Sequence, residues 1–164
     1  MSDARERADL LETLAKHRGF LRQTIDDMSD EQIRTRSTVS ELTLGGILKH
    51  VTAMEHTWCT FMTDGAVAFA DSTSEKFMAE WRLDDDETAA SLLAAHEAAA
   101  ARTDAVVASA DLDADHLLPE APWFPPGAAW SVRRVALHLI AETAQHAGHA
   151  DIIREAIDGA RTMG

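Results

Sequence analysis

Near the end of the chain, Leu137-His-Leu-Ile-Ala-Glu-Thr-Ala-Gln-His-Ala-Gly-His149 spaces His138, Glu142 and His146 at i, i+4 steps, with His149 three residues further on. On a helix these side chains leave one face within roughly 80°. Imidazoles and a carboxylate are poor core fillers unless something satisfies them. A bound cation would satisfy them together, because ligands from neighbouring turns of one helix can bite a common ion. Glu142 with His146 is one such pair, and His138 with Glu142 is another. A polar patch whose histidines bond water or backbone is the competing reading of the same face. Either metal pair needs a further donor from elsewhere. His50, the imidazole in the otherwise apolar stripe Ile47, Met54, Trp58 and Phe61, is the obvious source.

The other candidates are weaker. His17 and His96 face inward by periodicity, which suits either groups lining the same cavity or core histidines bonded to a neighbour. His56 lies roughly 120° from His50 around its helix and reads as surface. His116 falls in an irregular segment and receives no role. The single cysteine, Cys59, points away from His50, which argues against a nucleophile, and it excludes an internal disulfide or a cysteine-based zinc cluster. Trp58, Trp123 and Trp130 suit the roof of a pocket, although aromatic core anchors are the commoner use.

The elements that must position these residues follow from periodicity. Asp3 to Met28 repeats Leu10, Leu14, Leu21, Ile25 and Met28 as an amphipathic helix, with His17 on the same stripe. Ser29-Asp-Glu-Gln32 is a capping-box pattern that starts a short turn before a polar connection. Thr43 caps the helix that carries His50, and Asp64-Gly65 ends it. Phe77 and Trp81 anchor an irregular loop. The acidic run Asp84 to Glu87 precedes a third long helix with the inward stripe Leu92, His96, Ala99, Thr103 and Val106. Asp111 to Trp130 holds all four prolines and forms a long crossover. Ser131 caps the last helix, which runs to Ile157 and stops at Asp158-Gly159. The expectation is an all-α four-helix bundle with a long crossover before the last helix and no strands, as one domain over residues 1–164.

Composition narrows the partners. A net charge of -13 without a Lys/Arg cluster argues against nucleic acid. The opening Met-Ser-Asp-Ala-Arg-Glu-Arg has no apolar signal core, and no apolar run is long enough for a bilayer, so no membrane partner and a cytoplasmic location are expected.

Leu44-Gly-Gly-Ile-Leu-Lys-His50-Val-Thr-Ala-Met-Glu-His-Thr-Trp58, then Trp130-Ser-Val-Arg-Arg-Val, then Glu142-Thr-Ala-Gln-His146-Ala-Gly-His149-Ala-Asp-Ile-Ile-Arg-Glu155, together resemble the DinB-like superfamily, specifically its actinobacterial mini-circle protein branch. The resemblance spans nearly the whole chain. It implies a four-helix bundle with a divalent metal between helices, and carries the ligand roles to His50, Glu142 and His146. Many relatives have His at the position of Glu142, whereas the related mycothiol-dependent maleylpyruvate isomerase has Glu there. The activity implied is that of a metal-dependent thiol S-transferase in which the metal, zinc first and nickel or iron next, activates a low-molecular-weight thiol, mycothiol, toward a small-molecule electrophile. His138 and His149 are then left to orient a ligand or shuttle a proton, and a homodimer is expected. Two other readings compete. A stress-response protein could hold a metal or small ligand without turnover, and a two-histidine, one-carboxylate set also serves non-haem Fe(II) oxygenases, normally on another scaffold.

Overall fold

The computed structural model describes residues 3–163, so Met1, Ser2 and Gly164, the ends of the expected 1–164 domain, lie outside the described residues. Among these, four long helices pack as a bundle: α1 (Asp3–Gln23), α2 (Leu44–Asp64), α4 (Ala89–Ser109) and α5 (Val132–Asp158). A short α3 (Ser74–Ala79) lies between α2 and α4. Around the bundle the neighbours run α1, α5, α2, α4 and back to α1. The crossover of residues 24–43 thus sets α1 and α2 diagonally, and α5 comes to lie beside α2. That adjacency brings His50 to the His138–His149 motif of α5.

The helix ends follow the expected chemistry. Thr43 accepts from the Gly46 amide and starts α2, and Ser131 accepts from the Arg134 amide and starts α5. Gly65 (φ 70°) and Gly159 (φ 82°) close these helices in backbone conformations that L side chains rarely adopt. For α4 the cap is Thr88, in a reciprocal capping box with Ser91, rather than the acidic run before it.

The structure departs from the sequence expectation in three places. α1 ends at Gln23 rather than Met28: the chain turns through Asp27 (φ 65°), and Arg154 of α5 takes the carbonyls of Thr24 and Asp26. Ile25 and Met28 remain buried, so their periodicity reported burial and not helix. Residues 74–79, read as irregular, form α3, capped by Thr73 on the Lys76 amide. Two strands also occur where none was expected. β1 (Asp115–Leu117) pairs antiparallel with β2 (Ala129–Ser131), His116 opposite Trp130. Three residues are too few to show a strand period. The ribbon folds the proline-rich crossover back on itself and delivers Ser131 to cap α5.

Two apolar clusters fill the bundle, one around Leu21, Ile47, Leu48 and Ile153, the other around Leu14, Trp58, Phe61 and Leu139. Polar side chains are buried with them. Arg18 of α1 forms a two-pronged ion pair with Glu55 of α2 and a further bond of 2.8 Å to Asp104 of α4. Both Arg18 and Glu55 are buried, the carboxylate fully. No helix among the described residues is long and apolar enough to cross a membrane.

Candidate metal centre

His50 of α2 meets Glu142 and His146 of α5 on the facing surface of the two helices. One donor atom from each lies within 4.8 Å of the other two. His146 Nε2 is 3.6 Å from one Glu142 oxygen, and His138 Nδ1 is 3.9 Å from the other. These separations are too long for direct hydrogen bonds, so the donors face a common space without satisfying one another. His50 and His146 are buried, and Glu142 is half-buried. Burial pushes His146 below the ordinary histidine value, His50 adds to the shift and Glu142 opposes it. The neutral ring this favours is the form that binds a metal. Among the described residues, the buried Nδ1 atoms of His146 and His149 have no hydrogen-bond partner. Two imidazoles and a carboxylate, with positions left open for other ligands, fit a borderline divalent cation such as zinc.

Aromatic rings enclose the site. Trp81 stacks on His50 at 3.7 Å and meets His146 edge-on at 5.4 Å, and Phe77 meets His50 edge-on at 5.7 Å beside Trp81. Residues read from the sequence as loop anchors therefore lie against the candidate metal ligands His50 and His146. Glu80, between them, puts a carboxylate oxygen 3.3 Å from His50 Nδ1. The sequence reading missed this contact. The nearby signal was Thr73-Ser-Glu-Lys76, a cap that starts a helical turn and so brings Phe77, Glu80 and Trp81 to one side.

The remaining candidates divide. His138 sits against the stacked pair Trp58 and Trp130, edge-on to both, and burial lowers its pKa while Glu142 opposes the shift. His149 lies beside His146, ring centroids 5.5 Å apart. His96 is buried as expected, but its Nδ1 faces Thr52 at 3.3 Å, as a core histidine bonded to a neighbour. His17 is half-buried against Phe20; Arg18, next in sequence, takes the inward position instead. His56 is exposed, bonded to Arg102, and His116 faces the Met62 carbonyl. Trp58 is a buried anchor. Trp123 is 76% exposed and serves neither as anchor nor as roof.

A four-helix bundle holding a His-Glu-His cluster between its second and last long helices is the architecture of a DinB-like protein. The chain matches the family model Mycothiol-S-transferase over residues 9–159, and it belongs to that family. A solved structure described as the crystal structure of the conserved protein of locus from Enterococcus faecalis shares the fold, with a TM-score of 0.62 at 14% identity, covering 92% of this chain and 96% of that one. No curated protein matches the sequence.

Proposed function

We propose that this protein is a metal-dependent thiol S-transferase that conjugates mycothiol to a small electrophile. The observation that carries the reading is the convergence of His50, Glu142 and His146 donors within 4.8 Å, in a chain of the mycothiol-S-transferase family. A divalent cation bound there, zinc first and nickel or iron next, supplies the Lewis acidity that makes a thiol ionise near neutral pH. His50, Glu142 and His146 hold the cation. Trp81 and Phe77 cover His50 and keep water from that side. His138, next to Glu142, takes up the thiol proton, and His149, beside His146, orients the bound ligand. The sulfur then forms its bond to the electrophilic carbon as the leaving group departs with its electron pair, and the proton passes on to solvent. The reading extends to a homodimer in the cytoplasm, where small thiols are kept reduced.

The test is incubation of zinc-loaded protein with mycothiol and a panel of electrophiles. Conjugate formation that stops with a chelator supports the proposal. Absence of turnover across a broad panel, with metal bound, would make this a binding protein instead.

A further inference from the structure

Glu80 touches the candidate metal centre without belonging to the His-Glu-His set. It lies just beyond α3, and its Oε2 atom is 3.3 Å from His50 Nδ1. Its position is built by several separate contacts. Trp81 follows it and stacks on the His50 ring, with planes 16° apart. The segment behind it rests on two glycines of α2: a Cβ on Gly46 would come within 2.4 Å of the Trp81 carbonyl oxygen, and one on Gly45 within 2.7 Å of a Leu83 side-chain methyl. Lys49, adjacent to His50, binds the Arg82 carbonyl and the Asp84 carboxylate, each at 2.9 Å. The segment is therefore fastened to the very helix turn that carries His50.

An ionised carboxylate can only accept, so the proton shared with a neutral His50 resides on Nδ1. The lone pair of Nε2 is then free for a cation, and the hydrogen bond makes that nitrogen more basic. Without the carboxylate, a neutral histidine side chain favours the opposite tautomer, which caps Nε2 with a proton. We propose that Glu80 is a positioning residue of the metal centre: it fixes the Nδ1–H tautomer and the orientation of His50, and so prepares Nε2 as a ligand. This rests on the metal reading of His50, Glu142 and His146.

The test uses the full chain with two substitutions, Glu80→Ala and Glu80→Gln. Glu80 is half-buried at the surface of the site, so neither change opens the core. Nitrogen NMR of metal-free protein, at a pH where the ring is neutral, reads the His50 tautomer directly. Competition with a chromophoric chelator reads zinc affinity. The expected result is Nδ1–H in the wild type, a shift toward Nε2–H in E80A, and zinc affinity about 10–100-fold weaker in E80A. E80Q, whose amide oxygen still accepts, falls between the two. A wild-type chain that binds zinc while E80A binds it equally tightly, or keeps the same tautomer, overturns the proposal alone. E80Q as weak as E80A with an unchanged tautomer also overturns it, by making Glu80 a direct ligand. A wild-type chain that binds no zinc overturns the metal reading itself.

Discussion

Trp81 lies flat on His50, ring centroids 3.7 Å apart, and its carbonyl occupies the space that a side chain at position 46 would need. Helix propensity alone would make Gly46→Ala stabilising by about 1 kcal/mol. The collision is with backbone, so the sign reverses, and a net loss of about 1–3 kcal/mol is expected from overpacking. Chemical denaturation measures it. The variant's tryptophan emission should also shift to the red, a difference that disappears in a Trp81→Phe background. A more stable variant with unchanged emission would contradict this arrangement.

The Arg18–Glu55 pair makes a larger claim on stability. Both groups are buried, and removing Arg18 strands the Glu55 carboxylate, whereas Arg18 without Glu55 keeps its bond to Asp104. Arg18→Met should cost about 3–5 kcal/mol, whereas Arg18→Met with Glu55→Leu should cost much less, because well-packed apolar residues often replace buried pairs without loss. Urea midpoints of the single and double variants decide it.

Acid should weaken the fold through His96. Its pKa is pushed from 6.5 to about 4, first by burial and then by the charges of Arg18 and Arg22. The unfolded chain therefore binds a proton that the folded chain refuses between these values. Above pH 6.5 the residue carries no penalty; as pH falls toward 4 it removes roughly 3 kcal/mol, and below that its contribution is constant. Unfolding of chelator-treated protein across this window should show a shallower pH dependence for His96→Gln. An identical slope would contradict the assignment.

Cys59 is fully buried, and burial raises its thiol pKa. It should resist alkylation in the native state and react once the chain unfolds, at a rate set by opening. Cys59→Ala should conjugate mycothiol as fast as the wild type; loss of turnover in a folded variant would make the thiol part of the chemistry.

The bundle was legible because its long helices repeat apolar residues over many turns and end on Thr43, Ser131, Gly65 and Gly159, whose roles are local. The Glu142–His146 pair of α5 was legible for the same reason, since i, i+4 spacing is a property of one segment. His50 stood out as the lone imidazole of an apolar stripe, and the resemblance gave it the same role, but the adjacency of α2 and α5 that brings it to Glu142 and His146 is encoded by no local pattern. Glu80 and Glu55 escaped because an acidic residue judged by its type alone looks like solvated surface until its partner is placed. Arg18 sits one turn after Leu14, and reading the stripe by residue type alone gave that position to His17.

The central claim is that His50, Glu142 and His146 form one metal site. It is tested most directly by elemental analysis and zinc titration of protein purified without chelators, for the wild type and for His50→Ala, Glu142→Ala and His146→Ala. The account predicts one divalent ion per chain in the wild type and loss of tight binding in each variant, with the helical circular-dichroism signal retained. Full metal content in the His50→Ala and His146→Ala proteins would contradict it.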